Sequence, residues 1–453
     1  MVISTWLVIA LASVNLATLG QIPEPHRERT LNGLTVLLDR RPIQSNVILS
    51  LRVQSGTAFD LNGKAGTMAL MSDLLFPDPA TREYIIDELG GKLDVSANLD
   101  AIDVVMSARA TEFERLVEQL RTALTGNPFT QEDFLRIRAA RVKIAEQSGI
   151  SPSTIADRAI STRLFGSFPY AQQPGGTPES LARISRGDVI QARERFLNPN
   201  NSTMVVTGDL DPDRVMRALR QLLGGWRKSE TIVPHTFRQP SPPDDRVLIV
   251  NVPGGSNAEF RMAVRGVARS DKDYNAAEVL AEVLKNRLQA PSTIFAKGPT
   301  FVHNRAFVLP GTLTLGGAVP ASTARDAVST SRRLLESVIS GPLSMEEFAR
   351  ARSAVMSDHQ TRMATPSGQV ARWLDGITYN LPSIETERSA FDALTPQDVQ
   401  RVATRLFDKT PVAVVLAGDS GQIATTFGPG DKVEIPAAAS IPVSKPAGNT
   451  PKP

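Results

Sequence analysis

The chain has no cysteine, and only four histidines, three tryptophans and four tyrosines among its 453 residues. The first absence excludes disulfides, thiolate nucleophiles and cysteine-bound metals together, and leaves the redox compartment open. The shortage of histidine restricts the chemistry almost as much. His26, His235, His303 and His359 are scattered, and no two stand at the i, i+3 or i+4 spacing by which a helix offers two imidazoles to one ion. Each therefore reads as a surface or packing histidine. An excess of one charge is lacking too. Fifty Lys and Arg face 47 Asp and Glu, a formal net charge of +3, so composition gives no nucleic-acid footprint. The markedly apolar stretch from Trp6 to Leu19 is short for a bilayer span of about 20 residues, which leaves no stable membrane span once it is processed.

What is present reads as globular: 41% hydrophobic residues with 21% charged, in a chain long enough for two or more domains. Residues 1–20 carry no charge and end at Thr18-Leu19-Gly20, which suits cleavage of an export signal. The location that follows is periplasmic or secreted, in a bacterium. No Lys or Arg precedes the apolar run, so an uncleaved anchor and a misassigned start stay open as alternatives. Residues 227–245 hold Pro234, Pro240, Pro242 and Pro243 with little periodicity and read as a linker; residues 436–453, rich in Pro and Ala, read as a disordered tail. The domains on either side are 28–226 and 246–435.

Leu31-Asn-Gly-Leu34 is a short-hairpin cue. Val47, Leu49, Leu51 and Val53 alternate with Ile48, Ser50, Arg52 and Gln54, the pattern of a half-buried strand. Residues 92–97 and 101–108 form a second strand pair about the turn Asn98-Leu-Asp100, so the sheet reads as antiparallel. Thr111 with Glu114 has capping-box spacing before a helical stripe ending at Gly126. A further helix from Thr130 carries an apolar stripe of Phe134, Ile137 and Ile144, and a basic run of Arg136, Arg138, Arg141 and Lys143 that reads as a solvated face.

The two sides of the linker repeat each other. Ile184 to Asp209 aligns without a gap on Leu394 to Asp419, matching Asp188 with Asp398, Arg195 with Arg405 and Gly208-Asp209 with Gly418-Asp419. Pro128 to Phe134 aligns on Pro342 to Phe348. Matched blocks in the same order imply a duplicated domain. Strands mixed with amphipathic helices imply an α+β fold, each copy a mainly antiparallel sheet with helices packed on one face.

Gly63-Lys-Ala-Gly66, the closing Leu74-Leu-Phe76, Gly90-Gly-Lys-Leu93, Phe168-Pro-Tyr170, Gly176-Thr-Pro-Glu-Ser-Leu181 and the Ile184 to Asp209 block together resemble the pitrilysin or insulinase-like zinc peptidases, over roughly residues 28 to 425. The resemblance is to the two-domain type related to mitochondrial processing peptidase, whose chains pair into a clamshell, so this chain would be half of one. Active members hold zinc with an inverted H-x-x-E-H helix and a distant glutamate, the carboxylate between the histidines deprotonating the bound water. On that frame the three motif positions are Ala69, Ser72 and Asp73, all replaced; Glu146 is a possible remnant of the third ligand. In paired family enzymes a partner arginine and tyrosine hold the substrate carbonyl. Here those positions read as Ile294 and Phe301, with Lys297 as a possible substitute charge.

The resemblance therefore implies a catalytically degenerate member with no catalytic residues and no zinc of its own. The leading expectation is a partner subunit for an active peptidase bearing H-x-x-E-H, helping to bind extended peptide in a shared chamber. The strand at Leu93, Asp94, Val95 and Ser96 is the candidate edge for strand addition, and an ordinary intra-sheet strand is its bland alternative. A stand-alone peptide-binding or scaffold protein of the cell envelope, with a homodimer as one form of it, is the second reading. A zinc peptidase with non-standard ligands such as Asp73 and Glu146 is the third.

Overall fold

The computed structural model describes residues 24–126, 129–238, 240–295 and 298–436. The export signal, the tail from residue 437, Pro128 and Lys297 lie outside the described residues. The first half runs β1 (His26–Arg29), β2 (Thr35–Arg40), β3 (Asn46–Val53), α1 (Thr67–Asp73), α2 (Pro79–Asp87), β4 (Lys92–Ala97) and β5 (Ile102–Arg109). It continues through α3 (Phe113–Thr125), α4 (Gln131–Gly149), α5 (Pro152–Phe165), α6 (Pro178–Ala182), α7 (Arg186–Phe196), β6 (Ser202–Gly208) and α8 (Pro212–Leu223). The second half runs β7 (Val247–Asn251), β8 (Asn257–Arg265), α9 (Tyr274–Leu288), β9 (Thr300–Arg305), β10 (Thr312–Pro320) and α10 (Ala324–Ser340). It closes with α11 (Met345–Met363), α12 (Pro366–Thr378), α13 (Ile384–Asp392), α14 (Pro396–Phe407), β11 (Ala413–Gly418), α15 (Ser420–Ala424) and β12 (Val433–Glu434). No described helix is long and apolar enough to cross a membrane.

Among the described residues each half builds one six-stranded sheet, ordered β1-β2-β6-β3-β5-β4 and β12-β7-β11-β8-β10-β9. Pairing is mainly antiparallel, as expected for the α+β class, but β6 joins β2 in parallel, and β11 and β12 both join β7 in parallel. The duplication is visible in the caps. Ser185 and Thr395 each open their helix with a reciprocal box to Asp188 and Asp398, and each helix feeds a strand, β6 or β11, that is buried throughout. Phe134 and Phe348, the other matched pair, are both buried at the starts of α4 and α11.

The second face of each sheet departs from the simple layer picture, because each half lends a helix to the other. α12 lays Val370, Trp373 and Leu374 on Leu37 and Val205 of the first sheet. α5 lays Ala156, Ile160, Leu164 and Phe165 on Ala263, Ala413, Val415 and Ala417 of the second. At about 1.5–3 kcal/mol per large apolar side chain removed from water, this exchange accounts for much of the adhesion between the halves. It also corrects the reading of β3 as half-buried: Ser50 and Arg52, on its supposed wet face, are 2% and 8% exposed. Arg52 is satisfied there by Asp103 at 2.6 Å and by Asp375 of α12 at 2.6 Å. These carboxylates outweigh the cost of burial and hold its pKa above the ordinary arginine value.

A second joint lies at the β4–β5 turn. Asp100, fully buried, accepts from Tyr170 Oη at 2.7 Å and from the Val308 amide at 2.8 Å, while Leu309 N donates to Tyr170 Oη at 3.1 Å. Burial raises the Asp100 pKa against the pull of these donors. One buried carboxylate thus ties the tip of the β4–β5 hairpin to the loop between β9 and β10.

Two local expectations are corrected. Thr111 does not cap α3: a 3-10 turn over Ala110–Glu112 precedes the helix, Thr111 Oγ1 contacts Glu112, and Glu114 pairs instead with Arg214 of α8 at 2.6 Å. Ile144 is not part of the buried stripe of α4. It is 64% exposed, and Ala145 takes the buried position.

Candidate functional site

The site begins at a glycine pair. Gly66, at φ +96°, is the left-handed residue that starts α1, and a Cβ there would meet Leu181 Cδ2 at 2.9 Å and Gly176 Cα at 3.0 Å. Gly176, at φ +78°, abuts the Ala65 carbonyl in the same way, with 2.6 Å between a virtual Cβ and that oxygen. Two separate glycine landmarks of the sequence therefore exist to bring these backbones together. Asp60 caps the helix from outside, accepting from Gly66 N at 2.7 Å and Met68 N at 2.8 Å. Burial pushes its pKa up to about 7 even against these amide donors and the more distant Arg141.

On α1, Met68, Leu70 and Met71 fill the core, as do Leu74 and Leu75 just beyond it. Ala69 is 3% exposed and has no donor group. Ser72 is 1% exposed, and its hydroxyl donates to the Ala69 carbonyl at 2.7 Å, which uses up its proton within the helix. Asp73 is bound by Arg141 of α4, whose Nε and Nη2 reach Oδ2 at 2.7 and 2.6 Å, while Nη2 also lies 3.4 Å from the Ala69 carbonyl. Burial raises the Asp73 pKa and the guanidinium draws it back.

Arg141, which the sequence reading left on a solvated face, is thus the α4 residue that meets the motif positions. Glu146 does not. Five residues further along a helix of 3.6 per turn, it is turned about 140° away from Arg141, and it is exposed. The residues present do not fit a zinc ion. One position has no ligand atom, the second spends its hydroxyl on its own helix, and the third already holds a guanidinium cation. Among the described residues no three His, Asp or Glu side chains converge as a metal site. Two more members of the basic run are also engaged: Arg136 donates to the Pro77 carbonyl and Arg138 to that of Ile184.

Beside α1 runs β4, a sheet edge. The Asn98 amide donates to the Ala101 carbonyl, and the register pairs Ser96 with Asp103 and Asp94 with Val105. The alternation of antiparallel pairs then turns the backbone groups of Asp94 and Ser96 inward and those of Leu93, Val95 and Ala97 outward. Of the four residues read as peptide-binding, only Leu93 and Val95 can therefore offer main-chain bonds to an added strand. Ala97, unnamed in the sequence reading, is the third. Arg82 of α2 already donates to the Leu93 carbonyl, which leaves Val95 and Ala97 as the open stretch. Asp94 and Ser96 present exposed side chains on the sheet surface.

In the second half Ile294 packs against the core, and Phe301 on β9 stacks on His303 with centroids 4.7 Å apart. The Arg261 guanidinium lies 4.9 Å from the Phe301 ring centroid, and Gly316 leaves the room for that contact. Arg261 is 1% exposed, bonded to Glu259, Asp157 and Ser153. A charge beside Phe301 is present, then, but it comes from β8 and is locked to α5.

Two mixed sheets built from one duplicated unit, with helices exchanged across them, define a two-domain α+β protein. A family model described as the peptidase M16 inactive domain matches residues 183–355. Among curated relatives, the non-peptidase homolog YmxG of Helicobacter pylori (strain ATCC 700392 / 26695) is 18% identical over 205 residues, 44% of this chain and 47% of that protein. The uncharacterized zinc protease ML0855 of Mycobacterium leprae (strain TN) is 22% identical over 198 residues, 42% and 44% of the two chains. The match thus spans about half the length of these relatives.

Among solved structures, a protease from Helicobacter pylori superposes with a TM-score of 0.79 at 16% identity, over 87% of this chain and all of that one. A peptidase M16 inactive domain from Pseudomonas fluorescens gives 0.77 at 16%, over 87% and 98%. A chain of complex III2 from Candida albicans gives 0.75 at 15%, over 88% and 97%. The sequence match to the M16 inactive domain thus covers residues 183–355, and the solved structures show that the fold is shared.

Proposed function

We propose that this chain is a non-catalytic partner subunit of an active zinc peptidase, and that it contributes an edge strand for extended peptide to a shared chamber. The observation that carries this is the pairing of an intact frame with an emptied centre: glycine contacts, the Asp60 cap and the β4 edge are all in place around α1, while Arg141 occupies Asp73. Strand addition needs only main-chain groups, and Val95 and Ala97 offer them. The replaced motif supports the same reading, since a neutral Ser72 cannot supply the carboxylate base, whose loss alone costs about 10²- to 10⁴-fold. Occurrence of this fold within a larger complex, as in complex III2, fits a structural role. An exported, periplasmic location is part of the proposal and rests on residues 1–20.

The test is to co-express the chain with a cognate chain bearing H-x-x-E-H and to follow both assembly and peptide cleavage. Stable association with raised cleavage is expected. Neither association nor any change in cleavage would sink the subunit reading, and capture of peptides by this chain alone would favour a stand-alone binding protein or homodimer.

A further inference from the structure

Between α11, α12 and α13 lies a cavity of about 370 Å³, within the size range of small-ligand sites. It is remote from α1 in sequence, and nothing in the degenerate motif uses it. Its floor is a buried charge cluster. Arg269 Nη2 donates to Glu387 Oε1 at 2.7 Å, Arg372 Nε donates to Glu387 Oε2 at 2.9 Å, and Arg372 Nη2 donates to the Pro382 carbonyl at 2.8 Å. The three side chains are 10%, 8% and 7% exposed. Arg269 also rests on the Tyr274 ring, 3.9 Å from its centroid, which fixes the guanidinium plane.

The cluster is not balanced. Two guanidiniums share one carboxylate, leaving an excess of one positive charge. Asp375 adds negative charge from farther off, since it shares Arg52 with Asp103 and attracts Arg269 without bonding to it. Arg362 pairs with Asp358 at 3.1 Å, and Glu385 and Arg388 are exposed and opposite in sign. His359 brings no negative charge, and burial together with Arg362 lowers its pKa. Behind Tyr274, Glu278 has its pKa raised by burial, which weakens it as a counter-charge. Arg269 Nε and Nη1, with Arg372 Nη1, find no protein acceptor among the described residues. A fixed, partly unsatisfied pair of guanidinium groups at the base of a small cavity is the arrangement that receives a carboxylate. The walls above it are apolar: Met356, Met363, Ile384 and Phe391.

We propose that this cavity binds a small organic anion, a carboxylate carried on an apolar body, with the carboxylate on Arg269 and Arg372 and the apolar part against Met363, Ile384 and Phe391. The position gives such a ligand a lever. α12 turns Arg372 and Asp375 toward the cavity, while its other side places Val370, Trp373 and Leu374 on the first sheet. Occupancy therefore bears on the helix that joins the two halves.

Calorimetric titration of the full chain with hexanoate, and in parallel with hexanamide, tests this near neutral pH. The two share an apolar tail and differ in charge, and hexanoate is expected to bind at least about tenfold more tightly, the equivalent of one charge-assisted contact. Glu387→Gln removes the carboxylate that competes for the same donors and should tighten hexanoate binding by about tenfold. Met363→Trp fills the cavity without touching the charges and should abolish binding while leaving the circular dichroism unchanged. Equal affinity for acid and amide, no detectable binding of either, or an affinity unmoved by Met363→Trp would each overturn the proposal. Should Glu387→Gln fail to fold, the acid-to-amide ratio and Met363→Trp still decide it.

Discussion

Tyr170→Phe removes one oxygen atom from the joint between the halves, and its cost can be worked from the contacts. The variant loses the bond from Oη to Asp100 at 2.7 Å and leaves the Leu309 amide, 3.1 Å from the same oxygen, without a partner. A hydrogen bond to a charged group contributes about 1.5–3 kcal/mol, and a buried donor left unpaired costs about 1–3 kcal/mol. The expected loss is therefore about 3–5 kcal/mol. It should depend on pH in a definite sense. Losing the Tyr170 donor raises the Asp100 pKa further, so protonation relieves the stranded carboxylate, and the loss should be smaller near about pH 5 than near about pH 8. Urea unfolding followed by tryptophan fluorescence suits the question, because Trp226 reports the first core and Trp373 the helix lying between the halves. A loss below about 1 kcal/mol at the higher pH, or one that does not change with pH, would refute the claim that Asp100 is held by Tyr170.

Asp60 supplies a pH dependence of its own. Its folded pKa near 7 exceeds the unfolded value of about 3.9, so the native state holds a proton that the unfolded chain releases, and stability should fall as pH rises from about 4 to about 7. Asp60→Asn should flatten that slope in urea titrations, and parallel curves for the two proteins would contradict it. Gly66→Ala places a Cβ 2.9 Å from Leu181 at a positive φ, and a loss of about 2 kcal/mol or more is expected by the same assay. Val95→Pro removes an outward amide and no ladder bond, so peptide affinity should drop about tenfold with the fold retained, whereas Asp94→Pro should cost the β4–β5 pairing itself. The combined variant Ala69→His, Ser72→Glu, Asp73→His should still fail to retain zinc on dialysis while Arg141 faces it, and zinc at one per chain would show that Arg141 moves aside freely.

The fold was largely legible because its signals are local. Alternation marked β3, the Asn98 turn marked β4 and β5, and the twin blocks ending at Asp209 and Asp419 marked the duplication. The exchange of α5 and α12 was not legible. Their apolar faces announce burial, but no periodicity says which sheet covers them, so Arg52 and Ser50 read as a wet face. At the site, the loss of ligands at 69, 72 and 73 was plain from residue type alone. What replaced them was not, because Asp73 and Arg141 are 68 positions apart and an arginine on a basic helix looks solvated until its partner is placed. Glu146 has the residue type of a ligand, but it lies about 140° around α4 from Arg141, the side chain that meets α1. On β4 the strand was found but its parity was not, since which amides face outward depends on the hydrogen bond between Asn98 and Ala101.

The most direct measurement is peptide hydrolysis by a cognate H-x-x-E-H chain titrated with this one. Saturable stimulation at equimolar ratio is expected, with no hydrolysis by this chain alone whether or not zinc is supplied. Chelator-sensitive hydrolysis by this chain alone, or a partner whose rate is unmoved by its addition, would contradict the subunit role.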